Sequence, residues 1–501
     1  MFAHHVETHN GPHSTDELFV FARLAAEQGI PAHEVEEGLW TQLLALGRQA
    51  MGLFFHAQGT GDLGPELSPP DGSPARRLPE LHERSDRSVF GDFTLARTCY
   101  GSREGQAITV VPLDVRLQLP ESDYSYLLQR WDAALGCESA CARVAATREE
   151  ILGVRQSVDS LERITRHTAT TVGAFRDTRP VPEADAEGEL FVLTADGKGL
   201  PMRRGPGDPR PKAKRGKGDK ANAKRMAIVG AVYSVDRHVR TPEEIVAALF
   251  RDPRRPGTQP VVRPEPVGKH VWARLSEAAD GSLAGPVGEV FGWLKAERTR
   301  RDESGTKPVV CVMAGQELLW EGLRGGEPVA GVVPVLDLLH VTPRRWQAAY
   351  VFHPEGSSQA AAFVRERVLR VLRGEVTGVV RGLRCQGTRA KLPAAKATQL
   401  RKVCRYLQAN ANRMRYDEYL AKGSPIASGV IEGACRSYVK DRMERSGMRW
   451  TRAGAQAMLD VRSEDLNGDW AAFQAFRLRA ETRRLYPNRT LLDGMPWPLA
   501  A

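Results

Sequence analysis

No apolar run long enough to cross a bilayer occurs in this sequence, so nothing in it reads as a membrane-spanning helix. The opening residues, MFAHHVETHN, lack the basic start and apolar stretch of a secretory signal. Cysteine is sparse as well. The seven residues (Cys99, Cys137, Cys141, Cys311, Cys385, Cys404 and Cys435) are odd in number and scattered, and no CxxC pair occurs. That excludes a zinc ribbon and a disulfide scaffold, and Cys137 and Cys141, one helical turn apart, read as packing residues. Together these absences lead us to expect a cytoplasmic protein of a reducing compartment with no membrane partner.

The chain of 501 residues is long enough for several cores, and its formal net charge of +10 favours a polyanionic partner. Helical apolar spacing over 14–29 and 33–57 predicts an N-terminal helical module, residues 1–60, that packs or dimerises. A Gly-, Pro- and charge-rich stretch, 61–88, reads as a linker. Strand-like alternation around a Gly-Ser turn predicts a β-hairpin over 89–121. Three helical stretches follow in 122–175. The last has a Ser157 cap, follows a short Gly-containing turn, and presents Arg163 and Arg166 on its outer side. A helix-turn-helix that grips DNA and an ordinary helical hairpin both fit these residues.

From residue 189 the pattern changes. ELFVLTA predicts a strand ending at Asp196, and MAIVGAVYSV, 226–235, predicts a second. The loop between them carries Lys212, Lys214, Arg215, Lys217, Lys224 and Arg225 with no interleaved aromatics. It reads either as a solvated run or as a phosphate-contacting loop. Further on, VVCVM (309–313) and VVPVL (332–336) read as buried parallel strands. Asp337 ends the second, and His340 falls on the first turn of the next helix, as a packing or DNA-facing residue. The segment SPIASGVIEGACRSYVKDRMERSGMRW, Ser424 to Trp450, predicts a helix with Glu432 in line with Arg436 and Lys440. An acid beside two bases suits a metal ion next to a phosphodiester, whereas in isolation it is an exposed Glu–Arg pair.

Taken in order, ELFVLTADGKG, VVCVMAGQELLW, VLDLLH and SGVIEGACR…VKDRM…SGMRWT resemble the insertion-sequence transposases of the Kra-four group. The resemblance implies a mixed α/β fold with a ribonuclease-H-like core. The core would run over 189–356 and 423–475, interrupted by a helical insertion at 357–422 and followed by a basic tail at 476–501. It also implies a bacterial, nucleoid-associated enzyme that acts on double-stranded DNA at element ends and target. Hydrolysis and strand transfer would use Mg²⁺ or Mn²⁺ held by Asp196, a second Asp and Glu432, in at least a homodimer. Where the family has that second Asp, this chain has Ala314, and Asp337 is the nearest substitute as catalytic and metal-binding residue. Two other readings stay open: a DNA-binding protein that has lost catalysis, and a nuclease or resolvase on the same fold.

Overall fold

The computed structural model describes residues 15–501 except 68–73, 102–107, 204–223, 253–261, 277–281, 327–328, 446, 488, 494–496 and 500–501. The chain forms two compact units: residues up to 171 together with 471–501, and residues 172–470.

The first unit opens with α1 (Thr15–Glu27) and the long α2 (Ala32–Ala57). Residues 61–88, read above as a linker, are instead in large part paired backbone. Strands β1 (Glu66–Leu67), β2 (Ala75–Arg77), β5 (Tyr100–Gly101) and β6 (Ile108–Val110) form one small sheet. Leu67, Ala75, Tyr100 and Val110 bury a cluster there that the polar composition conceals. The hairpin also differs from expectation. Strands β3 (His82–Ser88) and β4 (Gly91–Arg97) pair through a two-residue turn at Val89 and Phe90, with Gly91 at φ 122°. Of the Gly-Ser pair expected to turn, Gly101 is the last residue of β5, paired antiparallel with Ile108 of β6, and Ser102 lies outside the described residues. After α3 (Pro112–Leu117) come α4 (Tyr126–Glu138), α5 (Cys141–Leu152) and α6 (Val158–Ala169). Gly153 at φ 64° closes α5, and the Ser157 hydroxyl accepts from the Ser160 amide to start α6. The C-terminal residues contribute most of α19 (Trp470–Leu485); Arg477 bonds Gln129, and the Tyr486 hydroxyl donates to the Leu119 carbonyl. The stretch 476–501 thus begins as packed helix, up to Leu485.

The second unit is mixed α/β. After α7 (Val172–Thr178), its sheet comprises β7 (Leu190–Pro201), β8 (Lys224–Val235), β9 (Val267–Leu275), β10 (Val309–Met313) and β11 (Val333–Leu336), in the order β11-β10-β7-β8-β9. β7, β8 and β9 are antiparallel neighbours, while β10 runs parallel to both β7 and β11. Alternation along β8 sorts the two faces. Ile228 and Val232 join the cluster containing α9 (Ala284–Arg301), whereas Ala227, Val229 and Ala231 join the cluster containing Ile431, Tyr438 and Leu459. Gly230 is required by close approach, because a Cβ there would lie 2.6 Å from Val290 of α9.

The remaining helices are α8 (Pro242–Leu249), α10 (Glu317–Arg324), α11 (Leu338–Phe352), α12 (Ser358–Leu372), α13 (Val376–Arg389), α14 (Ala394–Ala409) and α15 (Tyr416–Ala421). After them come α16 (Gly429–Ala434), a π-helical turn (Cys435–Lys440), α17 (Asp441–Met443) and α18 (Arg452–Leu466). Helices α11 to α15 bury Val341, Val364, Val380, Val403 and Leu420 in the same cluster as β10 and β11. The stretch 357–422 therefore shares its core with the sheet.

Candidate metal centre

Asp196 does not end its strand. β7 continues to Pro201 because β8 is long enough to pair it throughout, with Asp196 opposite Val229. On the other side, β10 follows β7 only as far as Leu193, opposite Cys311. Asp196 thus sits just past the point where β10 leaves β7 and the sheet narrows from five strands to the three antiparallel ones, β7, β8 and β9. Opposed residues share a face, and Val229 belongs to the cluster of Ile431 and Cys435, so Asp196 points toward the helix carrying Glu432. The Cys435 thiol confirms the approach, with its Sγ 3.8 Å from Asp196 Oδ2.

Ala314 and Asp337 occupy the neighbouring strand ends. The register of β10 with β7, carried on three residues, sets Ala314 level with Asp196; that of β10 with β11, carried on one, sets it level with Asp337. The Asp337 amide donates to the Met313 carbonyl at 2.8 Å, and the Trp320 indole donates to the Ala314 carbonyl at 2.9 Å. Ala314 therefore lies between the two aspartates, and its methyl offers no ligand atom.

Asp337 is buried and serves as N-cap of α11. One carboxylate oxygen accepts from the Leu339 amide at 2.8 Å, and the other accepts from the Ser428 amide at 3.2 Å. Ser428 also shares a 2.8 Å hydrogen bond with Thr194 of β7. One serine just before α16 thus ties the Glu432 helix to both β7 and the end of β11. Asp337, His340 and Glu432 each offer a ligand atom within 4.8 Å of the others. His340 Nδ1 is 3.6 Å from Asp337 Oδ2. The Asp337 carboxylate, outweighing partial burial and helped by Asp196 and Glu432, raises the His340 pKa above its ordinary value. Burial, reinforced by Asp196, pushes the Cys435 thiol up to about 12. Cys435 is therefore a neutral thiol donor at physiological pH and not a thiolate ligand.

Arg436 and Lys440 are exposed, as is Glu432. Residues 435–440 form a π turn, with the Asp441 amide donating to the Arg436 carbonyl five residues back. Lys224 pairs with Glu444, as does Lys198 at 3.5 Å, and Arg225 donates to the Ser276 carbonyl at 3.3 Å. Lys212, Lys214, Arg215 and Lys217 lie outside the described residues. In the first unit, Arg163 is exposed on α6, and Arg166 lies 3.6 Å from Glu162.

His340 as a third donor, and Thr194 and Ser428 as positioning residues, were not picked out by sequence reasoning. The readable signal for His340 was its i, i+3 spacing from an aspartate at a strand-to-helix junction. Thr194 and Ser428 had none, because their partnership is purely tertiary. No protein-family model matches this chain, and no curated protein does.

Proposed function

We propose that this chain is a transposase of the Asp–Asp–Glu type, with a ribonuclease-H-like core that acts on double-stranded DNA at insertion-sequence ends. The observation that carries the reading is the gathering of donors from distant segments. Asp337, His340 and Glu432 have ligand atoms within 4.8 Å of one another, and Asp196 borders the same place. The strand order also agrees, with three antiparallel strands followed by two parallel ones and an acid-bearing helix on one face.

The donor set fits a divalent cation: carboxylates suit Mg²⁺ and Mn²⁺, and an imidazole shifts preference toward Mn²⁺. Asp196, Asp337, His340 and Glu432 would hold it. When bound, such an ion supplies charge stabilisation at a phosphodiester and an activated oxygen nucleophile. The protein's own contribution is positional. Asp337 and Ser428 fix the Glu432 helix against the strand ends, and Cys435 orients Asp196. Exposed Arg436, Lys440 and Arg163 are available to phosphates, in a protein that works as a homodimer or larger assembly.

Ala314 favours a second reading, a DNA-binding protein derived from such an enzyme and without catalysis. Cleavage of DNA carrying the element's ends, in Mg²⁺ or Mn²⁺, separates the two when this chain is compared with Ala314→Asp. Cutting by both proteins, lost on Glu432→Gln, supports an enzyme that dispenses with a carboxylate at 314. Cutting by Ala314→Asp alone supports the inactive binder. If neither cuts nor binds the ends, the transposase reading fails.

A further inference from the structure

Helices α1 and α2 leave much of their apolar surface uncovered. Among the described residues, seven of the 21 large exposed hydrophobics fall in these two helices: Phe19, Val20, Leu24, Trp40, Leu43, Leu53 and Phe54. Single exposed leucines need no explanation, but a contiguous patch does. α2 buries its other side through Phe55, whose ring packs edge-on against Phe93 of β4 with centroids 5.2 Å apart. The opposite side carries Leu43, Ala50 and Leu53, which are exposed, and Leu39 and Leu46, which are half-buried, with Leu39 and Leu43 bordering a cleft toward Ala22 and Ala26 of α1; the five are spaced alternately by four and three. This is the spacing of a coiled-coil seam, and it falls on one stripe at 3.6 residues per turn. None of the five is charged. Phe54 and Trp40, the latter with its indole donating to the Ile151 carbonyl at 2.6 Å, flank the stripe, and Phe19 of α1 is 75% exposed.

We infer that this stripe is a two-fold interface with a second copy of the chain, α2 packing antiparallel on α2. The argument from shape is self-complementarity about Leu46. Antiparallel pairing sets Leu39 against Leu53, Leu43 against the small Ala50, and Leu46 against its own copy, so large residues face small ones or close the ends. A parallel pairing would set Ala50 against Ala50 and leave a gap between leucines. The area also fits. Allowing about 150–250 Å² for each large side chain, the exposed parts of Phe19, Trp40, Leu43, Leu53 and Phe54 give roughly 500–600 Å² per copy. Leu39, Leu46 and Ala50 bring this toward the ~800 Å² per partner of a stable interface. An isologous contact of this kind closes on itself and stops at two copies. The inference is independent of the proposed chemistry, since it uses no residue of the metal centre.

Light scattering on the full-length protein across a concentration series tests it. The wild type is expected to be a dimer in the micromolar range. Leu43→Glu alone and Ala50→Lys alone, each at an outward position, are expected to be monomers with unchanged circular dichroism. Mixing the two is expected to restore dimers, because the carboxylate introduced at position 43 of one chain then faces the ammonium introduced at position 50 of the other, while the second contact stays native. Val262→Glu, a substitution at an 87% exposed residue of the other unit, is expected to leave the dimer intact. Under oxidation, Leu46→Cys is expected to cross-link two copies and Leu53→Cys is not. A wild type that stays monomeric at all concentrations overturns the inference, as does a dimer that survives both Leu43→Glu and Ala50→Lys.

Discussion

The Ser428 amide donates to the carboxylate of Asp337, joining two segments 91 residues apart in the chain. The other Asp337 oxygen caps α11 through the Leu339 amide, so one buried side chain satisfies two backbone donors at a junction of strand, helix and the Glu432 segment. Asp337→Ala removes a helix cap and leaves a buried amide without its acceptor. The expected loss is ~2–4 kcal/mol, the sum of a cap and an unmet buried donor. Asp337→Asn keeps one carbonyl acceptor and is expected to lose about half as much. Urea unfolding followed by circular dichroism measures both, and an Ala variant as stable as the wild type would refute the capping role.

His340 gives the centre a pH dependence whose sign can be worked out. Its folded-state pKa is raised, first by Asp337 and further by Asp196 and Glu432. The stability this contact adds is fully present below the ordinary histidine pKa and is lost as pH rises through the raised value. A divalent cation needs the neutral imidazole and competes with that proton, so its affinity must move the opposite way. Mn²⁺ binding, followed by titration calorimetry, is expected to strengthen as pH rises from about 6 to 8, by up to ~10-fold per unit where the imidazole is protonated. His340→Gln is expected to weaken binding and flatten the pH profile. An equally steep profile in that variant would place the titrating group elsewhere.

Much of this arrangement was legible because continuous apolar runs have few ways to fold. ELFVLTA, VVCVM and VVPVL read as buried strands, and the structure has strands over all three. What escaped was decided by partners. β7 runs on through Gly197, Lys198 and Gly199, residues with no strand pattern of their own, because β8 offers a backbone to pair with. Strand β3, HERSDRS, looks like loop for the same reason, as its pairing with β4 compensates for poor composition. The π turn at 435–440 has no sequence signature. Asp337 was readable as a strand-end residue and Glu432 as a helix residue, while Asp196 lies within its strand and not at the end; Thr194 and Ser428 were invisible until the chain was folded.

Cys435 and Cys385 should differ sharply in reactivity. Cys435 is buried beside Asp196, with its thiol pushed up to about 12, while Cys385 is exposed on α13. Thiolate is the reactive form, so iodoacetamide at about pH 8 is expected to label Cys385 within minutes and to leave Cys435 unmodified in the folded protein. Peptide mass spectrometry after timed quenching reads both sites. Fast labelling of Cys435 would mean that the Asp196 face of the centre opens to solvent. Cys435→Ala, which removes the thiol beside Asp196, is expected to cost Mn²⁺ affinity a few-fold at most, since Cys435 positions a ligand and is not one.

Arg345 poses the opposite question, whether a buried charge helps at all. It lies on α11 with its side chain fully enclosed, and none of its guanidinium nitrogens has a hydrogen-bond partner among the described residues. Burial pushes its pKa below the ordinary arginine value, with Tyr416 and Cys404 opposing only in part. A cation taken from water without hydrogen bonds loses more hydration than distant dipoles return. Arg345→Met keeps the length and apolar stem of the side chain and removes the charge. It is therefore expected to leave stability unchanged or raise it by ~1–4 kcal/mol, by analogy with other buried charges replaced by apolar groups. Arg345→Ala tests packing separately and is expected to destabilise by ~2–4 kcal/mol through the cavity it leaves. Were the Met variant instead less stable by a comparable amount, the guanidinium would have to be satisfied in solution, and the charge itself would be what holds α11 against α14 and α15.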